Sequence, residues 1–120
     1  MGRKAAKELL HIEGWLDRSA EIVARGKGAN LADDLLQEAG DSLMMKLGEA
    51  AGRLPRLDVL APDGVEWALA VANRSFIIHQ YDQINRELTW LTLSVDLPAW
   101  QKSLTPLVDE ARAALDTDAG

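Results

Sequence analysis

The chain has 120 residues, with 13 Lys and Arg against 19 Asp and Glu, two His and no Cys. That length fits one domain, expected over residues 1–120, and 48% hydrophobic with 27% charged residues excludes a disordered chain. A formal charge of −6 argues against a protein that coats nucleic acid or anionic membranes, and the lack of Cys excludes disulfides, thiol nucleophiles and Cys-ligated zinc.

Apolar spacing sets the expected elements. Ala5, Leu9, Ile12, Leu16, Ala20 and Val23 step by four and three, the repeat of one helix face, and Gly26-Lys27-Gly28 stops it. Asn30 is expected to cap a second helix with the stripe Ala32, Leu36, Ala39, Leu43, Leu47, Ala50 and Leu54. Gly40 and Gly48 each cost that helix about 1 kcal/mol relative to Ala, which points to close helix contacts there. A loop from Pro55 to Asp63 follows, and Asp63 with Glu66 forms a capping-box pattern opening a third helix, with Val65, Leu69, Ala72 and Phe76 inward.

A fourth stripe is Ile84, Leu88, Leu91 and Val95, starting at Asn85. Asp96-Leu97-Pro98 reads as a fresh helix start, because Pro is best tolerated in a first turn. The last stripe is Trp100, Leu104, Leu107, Ala111 and Ala114, with Pro106 expected to kink the helix or divide it at Thr105 and residues 116–120 expected to fray. The expected fold is all-α, an up-and-down antiparallel bundle of four to five helices. The longest apolar run, Trp67–Ala72, is far below the roughly 20 residues that cross a bilayer. No export segment follows Met1-Gly2-Arg3-Lys4, so a cytoplasmic location with no membrane partner is expected.

The chemistry concentrates in Asn73-Arg74-Ser75-Phe76-Ile77-Ile78-His79-Gln80-Tyr81. On a helix, Arg74 and Tyr81 share one face and Ser75 and His79 another, while Arg74 and His79 stand about 140° apart. One straight helix therefore cannot aim both at one small target; a bend, the reach of Arg, or a second copy across a symmetry axis could. A guanidinium holds a phosphate bidentately, and an imidazole moves protons near neutral pH. Together they suit transesterification of RNA without metal or cofactor. The window Arg53–Arg86 holds four Arg and four acids, so the whole −6 lies outside it and no electrostatic objection to phosphate remains.

Arg74-x4-His79-x-Tyr81 resembles the signature of the HEPN-domain ribonuclease toxins of the HepT type. The likeness continues through Ile84-Asn85, Glu87-Leu88, Trp90 and Asp96-Leu97-Pro98. Upstream, it takes in Leu47-Gly48-Glu49-Ala50-Ala51-Gly52-Arg53-Leu54 and Glu66-Trp67. It covers roughly residues 43–104 and departs at Ser75, where Asn, Asp or His is common, and at Ser42-Leu43, where Arg-Asn is often found.

This resemblance implies an all-α, HEPN-like homodimer whose two motifs share a cleft. It implies a metal-independent endoribonuclease in a type VII HepT/MNT toxin–antitoxin pair, with RNA rather than DNA as substrate. Arg74 and His79 would be catalytic, with Ser75 and Asn73 supporting. Tyr81 would be the residue that a nucleotidyltransferase (MNT-type) antitoxin AMPylates. The alternatives are a non-catalytic, nucleotide-binding subunit of a nucleotidyltransferase and a plain helical dimerisation protein.

Other clusters read as structural. Asp33, Asp34, Glu38 and Asp41 are expected on a solvated face rather than around a metal, and His11 at the periphery. Trp15, Trp67, Trp90 and Trp100 are expected as core or interface anchors, since none sits in an Arg/Lys-rich stripe.

Overall fold

A computed structural model describes residues 1–63, 65 and 84–119, the last three by their backbone alone. Helix α1, Arg3–Ala24, buries Ala5, Leu9, Ile12 and Leu16, as the stripe predicts, and Ala6 beside them. Beyond Leu16 the buried face rotates: Ser19 and Ile22 point inward, Ala20 is exposed and Val23 half-buried. A 3.6-residue turn drifts by about 20° per heptad against a 3.5 repeat, so a long stripe does not stay on one line. Ser19 tolerates burial because its hydroxyl donates to the Trp15 carbonyl at 3.0 Å. The helix ends where expected, at Gly26, whose φ of 93° suits glycine.

The second stripe is divided. A short α2, Lys27–Ala32, precedes α3, Asp34–Arg53, and the cap of α3 is Asp33, whose Oδ1 accepts from the Leu35 N–H at 2.9 Å. Asn30 is not the cap; it lies within α2, 1% exposed. Asp33 has the extended backbone (φ −124°) that a cap residue needs, which Asn30 inside a helix lacks. Gln37 reaches back from α3, its Nε2 donating to the Asn30 and Leu31 carbonyls at 3.0 and 3.3 Å, which satisfies the end of α2.

Along α3 the expected positions Leu43, Leu47 and Ala50 are buried, as is Leu54 just beyond, while Ala32 and Ala39 are exposed. A Cβ on Gly40 would sit 3.1 Å from Leu93 Cδ1, so the close contact expected there is real. A 3₁₀ turn, Leu54–Leu57, ends at Asp58 with φ 61°.

The chain re-enters at Ile84. Asn85 caps α4, Arg86–Leu91, accepting from the Glu87 and Leu88 N–H groups at 3.0 and 3.3 Å, as its position predicts. The fourth stripe, however, faces outward: Leu88, Leu91 and Val95 are exposed, and Leu93 is buried in their place. Nor does a new helix start at Asp96. A π-helical turn, Thr92–Asp96, carries α4 directly into α5, Leu97–Ala119. Pro98 lacks an N–H and its ring would crowd the carbonyl four residues back, that of Ser94, which lies inside this widened turn.

Pro106 sits exposed within α5 without dividing it, and the helix runs past Asp116 to Ala119 rather than fraying from there. Of the last stripe, Trp100, Leu104 and Ala111 are buried, with Leu107 and Ala114 packed against the core.

Helix α1 is the centre of the bundle, packing most on α5 and next on α3. Glu8 near its start meets Arg53 at the end of α3, so these two run antiparallel. Gln101 of α5 donates to Asp17 at 2.6 Å and Arg112 pairs with Glu13, an antiparallel order again. The fold is an all-α bundle, with no strand among the described residues. No described helix is long and apolar enough to cross a membrane.

Candidate functional site

Asn73, Arg74, Ser75, His79 and Tyr81 lie outside the described residues, as do Leu69, Ala72 and Phe76 of the third stripe and the expected anchor Trp67. The described structure supplies the ends of that segment. Before it, Val65 is 4% exposed, and its N–H donates to the Pro62 carbonyl at 3.1 Å. After it, Ile84 packs against the core and Asn85 caps α4.

One residue further, Arg86 Nη1 meets Asp41 Oδ1 of α3 at 2.7 Å, their side chains 24% and 5% exposed. Asp41 is therefore not on a solvated face. It belongs to a part-buried ion pair that pins the start of α4 to the middle of α3, and its Oδ2 has no hydrogen-bond partner among the described residues. Asp34 and Glu38 are exposed, as expected, and no group of metal-ligating side chains forms among the described residues.

The upstream part of the resembling sequence is the last half of α3. Leu47, Gly48, Ala50, Ala51 and Leu54 are buried; Glu49 and Arg53 point outward. Arg53 is held by Glu8, with Nε and Nη2 donating to Oε1 at 3.1 and 2.5 Å. That hydrogen bond, aided by the charges of Glu8 and Glu49, raises the guanidinium pKa further, so Arg53 is a permanent cation tied to a structural partner. Lys27 pairs with Glu87 at 2.8 Å, and Arg112 with Glu13, in the same structural way.

Three cations face a groove instead. Arg18 from α1, Arg25 just past its end and Lys46 from α3 line a hollow of about 510 Å³ with Trp15, Glu21 and Ser42, and none of the three is paired with a described residue. Trp15 packs against the core, as an anchor should, and it also borders this hollow together with the three basic side chains. The missed signal is helical: Trp15, Arg18, Ile22 and Arg25 fall at i, i+3, i+7 and i+10, and Leu36, Ala39, Leu43 and Lys46 repeat that spacing on α3. His11, exposed as expected, tilts its ring against Trp15 with centroids 5.9 Å apart. Trp100 is buried, as an anchor should be, and Trp90 half-buried.

No family model, no curated protein and no solved structure matches the chain. The functional reading therefore stands on its own residues and on the resemblance they carry.

Proposed function

We propose that the chain is a metal-independent endoribonuclease of the HepT type, the toxin of a toxin–antitoxin pair. The observation that carries this is Arg74-x4-His79-x-Tyr81 with resembling sequence in register on both sides. In the proposed reaction the RNA 2′-oxygen attacks phosphorus while His79 accepts its proton. The bond to the 5′-oxygen breaks, that oxygen takes a proton from a second imidazole, and a cyclic phosphate remains. Arg74 offsets the charge that grows on the phosphorane oxygens.

The 140° separation of Arg74 and His79 favours assembly of the site from two copies. The exposed line of Leu88, Leu91 and Val95, at 61%, 52% and 58%, supports a homodimer by offering an apolar face that a second copy would cover. It begins seven residues after Tyr81. A nucleotidyltransferase partner transferring AMP to Tyr81 would place a bulky anion on the face shared with Arg74 and compete with RNA phosphate.

Purified His79→Ala protein tests the reading. It is expected to fold and dimerise but to lose RNA cleavage and growth arrest; full activity in this variant excludes the mechanism. Ser75 favours the second reading, a nucleotide-holding subunit without cleavage, which would show nucleotide binding by wild-type protein with intact RNA.

A further inference from the structure

We propose that the groove between α1 and α3 is a binding site for single-stranded RNA, with a base stacked on Trp15 and the backbone phosphates held by Arg18, Arg25 and Lys46. It deepens the ribonuclease reading by giving the substrate strand a surface to bind, and rests on that reading for the choice of RNA.

The groove has the parts this chemistry needs. Trp15 is half-buried and packed against the core, which holds its ring in place at one end of the groove, with the His11 ring tilted beside it, centroids 5.9 Å apart. Ten residues on, about 15 Å at a helix's rise per residue, Arg25 caps the end of α1. Arg18 lies between them on the same face. Lys46 and the exposed Ser42 hydroxyl approach from α3, and Ile22 and Leu43 form a buried apolar floor. A volume of about 510 Å³ lies within the range of ligand-sized sites.

Three cations and one acid, Glu21, give the lining a positive balance in a chain of net charge −6. Positive charge tracking a backbone, combined with an aromatic platform, is how single strands are held without base reading. A second basic hollow among the described residues, beside Lys4, Lys7 and Arg56, has no aromatic side chain, and its Arg53 is already bonded to Glu8.

The test is binding of a fluorescent oligoadenylate RNA to His79→Ala protein, which holds the strand without cutting it, with inorganic polyphosphate as a base-free probe. Trp15→Leu is expected to weaken RNA binding about 5- to 100-fold, as loss of one stacked base does, and to leave polyphosphate binding unchanged. Arg18→Glu with Arg25→Glu is expected to weaken both ligands and flatten the salt dependence of RNA binding by about 1.4 in log–log slope. RNA binding unchanged in both variants overturns the proposal. So does an effect of Trp15→Leu that is equal for polyphosphate and RNA.

Cleavage of a dinucleotide, too short to span the groove, separates this from the parent reading. With active protein, groove variants should cut the dinucleotide normally and long RNA poorly. If wild-type protein cuts neither but groove-dependent RNA binding persists, the cleavage reading fails and the groove stands. If it cuts both and the groove variants do likewise, the groove fails alone.

Discussion

At the scale of single residues, Asp41 and Arg86 show how burial changes the meaning of a charge. Asp41 sits in an acidic stretch that reads as a wet helix face, because sequence spacing does not show which acid meets a cation 45 positions away. Once the pair forms, removing one partner strands the other in a medium that solvates it poorly. Arg86→Met leaves the deeper charge, Asp41, unpaired and is expected to cost about 3–5 kcal/mol. Asp41→Asn leaves the more exposed guanidinium and is expected to cost clearly less. Urea unfolding of the two variants checks the order; equal midpoints would show that the pair's geometry does not govern stability.

Gly40 is a second residue-scale case, and here the sequence was readable. A mid-helix glycine implies a close approach, and Leu93 supplies it at 3.1 Å from the position of a Cβ. Gly40→Val would force that leucine and its turn aside and is expected to destabilise by about 1–3 kcal/mol, measurable by the same titration. Asn30 was misread for a physical reason. Asn is a good cap only at a helix boundary, and the boundary was displaced by the short α2 to Asp33.

Among elements, the amphipathic stripes of α1, the second half of α3 and α5 were legible because each repeats over several turns against a large core. The stripe of α4 was not. Its apolar side chains have helical spacing, but the neighbouring helices bury Leu93, and the π-helical turn at Thr92–Asp96 alters the spacing on which the pattern depends. Leu88, Leu91 and Val95 are left exposed, the face proposed above for a second copy. Leu88→Lys with Leu91→Lys is expected to give a folded monomer, since both side chains already face solvent, and to abolish cleavage. Sedimentation and circular dichroism of the variant check the first point and an RNA assay the second. A dimer that survives the charges contradicts this face as the interface, and a fully active monomer contradicts the shared site.

For the whole molecule, the class was legible and the chemistry only through its resemblance. Helical periodicity and the absence of alternating runs define the all-α bundle that the structure has. Net charge was a poorer guide. The overall −6 conceals a basic groove whose members come from two helices and appear together only once α1 and α3 pack side by side. In the sequence, buried Val65 comes before the segment with Arg74, His79 and Tyr81, and the Asn85 cap and the Arg86–Asp41 pair come after it.

Control by modification belongs to this scale as well. Incubation with the partner nucleotidyltransferase and ATP is expected to add one AMP to the wild-type chain and none to Tyr81→Phe. An unchanged wild-type mass would count against that mode of inhibition.

The most direct measurement is cleavage of a defined RNA by the purified protein in excess EDTA, with the new ends identified. Cyclic phosphate ends that form in EDTA and vanish with either Arg74→Ala or His79→Ala are the expected result. Intact RNA, or cutting that needs added metal or survives both substitutions, would contradict the account.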